Sequence, residues 1–97
     1  MKHLVIVGAG GFGREMFGSA REAVGFGSEF DIKGFLDAKP TALDGFVGYP
    51  PIVGLPDSYV PAEDDVFITA LGSIASRRRC VSSLEKKGAK FISIIHR

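Results

Sequence analysis

The sequence predicts an α/β fold, a small Rossmann-like parallel sheet of about four strands with flanking helices. Three observations predict it. Short aliphatic runs alternate with stretches of helical period. A glycine cluster, "GAGGFG" at 8–13, separates the first such run from the first such stretch. Residues 38–65 hold all five prolines, so only that stretch resists assignment to a regular element.

Leu4 to Val7 are consecutive apolar residues closed by glycine, the pattern of a strand covered on both faces. Residues 12–25 switch period: at about 100° per residue, Phe12, Met16, Ala20, Ala23 and Val24 share one side, and Arg14, Glu15, Arg21 and Glu22 the other. "GFG" at 25–27 offers a left-handed cap to end this helix. "DIKGFLD" at 31–37 reads as a second strand ending at Asp37, with Ile32, Phe35 and Leu36 as its apolar positions. Within 38–65, "GYPPIVG" suits a short edge strand, because no ladder partner needs the missing N–H of Pro50 and Pro51. "DVFITALG" at 65–72 is a third strand, Ile74 to Lys87 a helix ended by Gly88, and "KFISII" at 90–95 a final strand.

The alternation predicts parallel pairing through right-handed crossovers. It places the strand at 32–36 on one side of the first strand and those at 66–71 and 91–95 on the other. Ligands in such sheets bind beyond the carboxyl ends of the strands, where the chain switches direction across the sheet. Here that point lies between Val7 and Leu71.

Composition narrows the function. The chain has 97 residues, 45% hydrophobic and 24% charged, the profile of one globular domain. Twelve basic against eleven acidic residues leave no basic footprint for nucleic acid or an anionic membrane surface. The longest apolar stretch, Leu4 to Phe12, is about half of what a membrane-spanning helix needs, and the N-terminus does not read as a secretory signal. A cytoplasmic protein is expected. Cys80 is the lone cysteine, which excludes an intrachain disulfide framework and a thiolate metal site; it reads as a small semi-buried helix residue.

Gly8, Gly10 and Gly13 fit G-x-G-x-x-G between a strand and a helix. Gly8 permits the tight turn, Gly10 lets a phosphate approach the backbone, and Gly13 lets the helix settle on the sheet. The free N–H groups of the first helical turn, with the macrodipole behind them, favour an anion there. Asp37 ends the second strand, where an acidic residue bonds a ribose hydroxyl or simply forms the turn ahead of "AKP". Arg77 falls on the helical wheel at the centre of the stripe of Ile74, Val81 and Leu84, whereas Arg78 and Arg79 read as solvated surface. An inward guanidinium needs a carboxylate, a carbonyl or a bound anion. His96 ends the last strand and His3 lies at the opposite end of its own; neither has a visible catalytic partner. The residues describe a binder more than a catalyst.

"LVIVGAGGFGRE", "IKGFLD", "GYPPIVG", "DVFITALGS" followed by Arg77, and the closing "FISIIH" together resemble the amino-terminal domain of bacterial sugar acyltransferases of the sialic-acid O-acetyltransferase and PglD type. The likeness spans essentially all of residues 1–97. It implies a Rossmann-like domain that binds a UDP-linked sugar. It also implies that a hexapeptide-repeat β-helix follows, which binds acetyl-CoA, supplies the catalytic His and forms a trimer. No acetyl-CoA site or catalytic His is expected within residues 1–97, so these residues alone should bind without turnover. By the same resemblance Gly8, Gly10, Gly11 and Gly13 match the phosphate-side loop, and Asp37 the acidic residue near the nucleoside. Gly72, Ser73 and Arg77 match the elements flanking the diphosphate. Phe12 stands where many relatives have His, and Ser73 and Ile74 where Asp and Asn are frequent. His96 matches the junction into the next domain. The competing expectation is an NAD(P)-binding domain of an oxidoreductase or nucleotide-gated regulator, which the glycine loop and Asp37 suit equally well. Against it, a dinucleotide fold uses two mononucleotide-binding halves, and the chain holds about one and a half.

Overall fold

The structure, a computed structural model, describes residues 1–92. Its elements are β1 (Lys2–Val7), α1 (Gly11–Arg21), β2 (Phe30–Leu36), β3 (Ile52–Gly54), β4 (Asp65–Thr69) and α2 (Ile74–Glu85). The strands form one parallel sheet in the order β3-β2-β1-β4. After β1 the chain moves outward to β2 and β3, then returns across β1 to β4. The switch point therefore lies between β1 and β4, as the alternation predicts.

The uninterrupted aliphatic run of β1 is explained by this central place, for Leu4, Val5, Ile6 and Val7 are all fully buried. Alternate side chains serve opposite layers. Leu4 and Ile6 join Ala20, Phe30 and Phe35 on the α1 side, and Val5 and Val7 join Leu36, Phe67, Cys80 and Leu84 on the α2 side.

Element boundaries differ from the sequence reading in instructive ways. Helix α1 stops at Arg21, not Val24 or Gly25, because the amides of Glu22 and Ala23 turn back to the carbonyls of Ser19 and Ala20. Ala23 remains buried, but Val24 and Phe12, both expected on the apolar side, are each 52% exposed. The face that meets the sheet is Gly13, Met16, Phe17 and Ala20. Gly13 sets that phase, since a Cβ there would overlap the carbonyl oxygen of Gly8.

Helix α2 begins at Ile74 as expected and ends at Glu85 in turns closed by Gly88. Its buried residues are Cys80 and Leu84, while Ile74 is 62% exposed and Arg77 lies on the surface. The inward guanidinium is thus corrected. α2 has too few large apolar residues to define a wheel centre, and the small Cys80 takes the contact assigned to Ile74 and Val81.

Strand β4 ends at Thr69, two or three residues early, although the Ala70 amide still bonds the Val7 carbonyl at 2.8 Å. Phe91 makes an isolated parallel bridge to Phe67, on the side of β4 where the last strand is expected. The remainder of that expected strand, with His96, lies outside the described residues.

Candidate functional site

Both helices start at the carboxyl ends of strands flanking the switch point. Gly8 makes the turn out of β1 with φ +107°, a left-handed conformation that a side chain disfavours, while its amide bonds the Leu36 carbonyl at 2.7 Å. A Cβ on Gly8 would also press on Leu71 and the Ala70 carbonyl, so the loop after β1 lies directly against the end of β4.

The next amide, of buried Ala9, donates to Asp37 Oδ2 at 2.8 Å. Asp37 Oδ1 accepts the Lys39 amide at the same distance. A carboxylate offers about four lone-pair directions, so this residue retains acceptor capacity for a ligand hydroxyl. It serves the protein as a loop anchor as well as standing where a ribose is expected.

Gly10 is the N-cap of α1 and supplies no side chain to satisfy the helix head. Among the described residues, the amides of Gly10, Gly11, Phe12 and Gly13 donate to no protein acceptor. Gly10, Gly11 and Phe12 are exposed, and a Cβ on Gly10 would touch nothing within 4 Å. The result is a row of oriented donors of which three belong to exposed residues, while Gly13 behind them is buried. Across the switch point, Gly72 and Ser73 lead into α2; Ser73 Oγ accepts the Ser76 amide at 3.3 Å and so caps that helix itself.

Beside Asp37 lies a cavity of about 170 Å³. Its walls are Asp37 and Ala38 after β2, Pro56 and Asp57 from the connection, and Leu71, Ser76, Arg79 and Cys80 from the end of β4 and from α2. Two carboxylates and one guanidinium therefore border a partly apolar recess. Arg79, read from the sequence as solvated, is the arginine at this cavity. Arg77 instead lines a separate surface groove with Arg78, Ile74 and Val81. Burial pushes the Cys80 thiol above its usual range, and the negative charge of Asp57 adds to the effect.

Arg14 falls by helical period on the outward side of α1 and is only half-buried, yet it meets the loop. Its Nη1 donates to the Ala9 carbonyl at 3.2 Å, and its guanidinium carbon lies 3.9 Å from the centre of the Phe46 ring. A cation thus stands beside the glycine loop and ties the irregular connection to it. Its position one turn into the helix behind the glycines was the available sequence signal. Phe46 lay in a stretch without periodicity.

His3 is remote, paired with Asp31 at the opposite end of the sheet through a 2.6 Å contact. No helix among the described residues is long and apolar enough to cross a membrane.

A search among curated proteins finds no match to the chain. The family model of the PglD N-terminal domain matches residues 3–84, which takes in β1 through most of α2 with the glycine loop, Asp37 and the cavity. The chain accordingly belongs to the PglD N-terminal domain family, a family in the sugar-acetyltransferase context.

Proposed function

We propose that these residues form the nucleotide-sugar-binding domain of a sugar acetyltransferase and hold a UDP-linked sugar for acetyl transfer. The observation that carries this reading is the juxtaposition of four unpartnered amides at the head of α1 with a carboxylate-lipped cavity next door. The diphosphate sits on the amides of Gly10, Gly11, Phe12 and Gly13, where charge and dipole favour it. Gly72 and Ser73 flank it from the α2 side. The ribose bonds Asp37, and the base enters the cavity between Ala38 and Arg79. The sugar then projects past Phe12, an apolar neighbour. Acetyl-CoA and the catalytic His belong to a hexapeptide-repeat domain of the trimeric parent enzyme. Residues 1–97 by themselves bind without turning over.

A UDP-sugar is preferred to NAD because a dinucleotide fold uses two mononucleotide-binding halves, whereas the described residues carry about one and a half, with a proline-rich excursion between β2 and β4 in place of a regular crossover. Titration calorimetry with UDP-N-acetyl sugars, UDP-4-amino sugars and NAD tests the reading. Saturable heat with the UDP compounds, abolished by Gly10→Phe in a folded chain, is expected. Binding of NAD with no response to any UDP compound would overturn it.

A further inference from the structure

The wall of the cavity formed by Pro56 and Asp57 is a turn without regular structure, closed by the amides of Ser58 and Tyr59 on the Leu55 carbonyl. What fixes it comes from two directions. Below, the Tyr59 ring stacks edge-on against Phe67, and its hydroxyl donates to Asp65 Oδ2 at 2.6 Å. The Asp65 side chain is completely buried and also accepts from Lys33 Nζ at 3.1 and 3.2 Å and from the Ala62 amide at 2.9 Å. From the side, Lys87, just beyond α2, donates to the carbonyls of Asp57 at 2.6 Å and Tyr59 at 3.3 Å. The opposing wall, Arg79 and Cys80, belongs to α2.

We infer that Tyr59 and Lys87 are positioning residues for ligand binding: Tyr59 ties the turn at 55–59 to the sheet through Asp65, Lys87 ties it to α2, and together they set the width of the cavity. Neither touches the ligand. The inference rests on the proposed nucleotide site for its consequence, but not for its geometry. A buried carboxylate that accepts from Lys33 of β2 and from Tyr59 and the Ala62 amide of the connection before β4 holds that connection at a fixed distance from the sheet, and small displacements of a binding wall are costly in affinity.

Cys80 reports the opening of this wall, because the residue lines the cavity yet is only 5% exposed. The test compares Tyr59→Phe and Lys87→Gln with Phe30→Leu, a variant of the opposite core layer. Each removes packing or bonds, but only the first two release the turn. Alkylation of Cys80 in the ligand-free chain should accelerate about tenfold in Tyr59→Phe and Lys87→Gln, and UDP-N-acetyl-sugar affinity should fall about as much, the scale of one lost hydrogen bond. Phe30→Leu, at an equal loss of unfolding midpoint, should change neither. Should Tyr59→Phe fail to fold, the solvent-facing Lys87→Gln still decides. Alkylation that follows the unfolding midpoint alike in all variants would overturn the inference. Faster alkylation in the two variants, with no UDP-sugar bound by the unaltered chain, would remove the nucleotide reading and leave the positioning role standing.

Discussion

The carboxylate of Asp37 accepts the amide proton of Ala9 at 2.8 Å, joining the end of β2 to the loop after β1. Ala9 is fully buried, so no water replaces that acceptor once it is removed. Asp37→Ala should cost about 1–3 kcal/mol in urea unfolding, the range for an orphaned buried donor. Asp37→Asn keeps one acceptor oxygen and should cost less, while still losing most UDP-sugar affinity in calorimetry. Equal affinity for Asp37→Asn and the unaltered chain would show that the carboxylate serves the loop alone.

Gly10 and Gly13 share one motif but separate cleanly by mechanism. A methyl on Gly13 collides with the Gly8 carbonyl, so Gly13→Ala should lower stability by about 1–3 kcal/mol or more through overpacking. At Gly10 the backbone has φ −73° and a Cβ finds open space, so Gly10→Ala should leave the unfolding midpoint essentially unchanged. Thermal unfolding of the pair checks the contrast. A stability loss at Gly10 equal to that at Gly13 would contradict it.

Asp65 makes the stability sensitive to acid. Burial by itself would raise its carboxyl, but hydrogen bonds from Tyr59, the Ala62 amide and Lys33 outweigh burial and hold it below the ordinary aspartate value. A lowered folded-state value means that the contribution is fully present above the unfolded value of about 3.9 and is lost as pH falls through the folded one. Asp65→Asn should cost about 3 kcal/mol at neutral pH, the lower end for a broken buried pair because Lys33 keeps partial access to water. Its urea midpoint should also vary less between pH 5 and pH 2, a range spanning the roughly 3.9 of an unperturbed aspartate. An acid limb as steep as that of the unaltered chain would assign the dependence to other carboxylates.

Arg14 couples the glycine loop to the connection that carries Phe46. Arg14→Ala removes a ring-stacked guanidinium and a bond to the Ala9 carbonyl, and should destabilise by about 1 kcal/mol. Amide exchange should rise around Phe46 and Tyr49, whose rings meet edge to face, while the amides of β1 keep their protection. Unchanged exchange near Phe46 would mean that the connection is held without Arg14.

What the sequence determined by itself was whatever depends on local pattern. The aliphatic run of β1 could only be a central strand, and the spacing of Gly8, Gly10 and Gly13 could only suit a tight turn into a helix that lies close to the sheet. The order of elements then fixed parallel pairing and the position of the switch point. Tertiary structure alone decided which arginine met which surface. A helix with little apolar asymmetry carries almost no record of its own rotation, so the small contact at Cys80 turned Arg79 toward the cavity and Arg77 away from it. The partners of Asp65 and Arg14 were equally hidden, since each joins segments separated by an irregular connection. Periodicity records the faces of helices and strands, but the path of a proline-rich stretch is set by what it is bonded to once the sheet has formed.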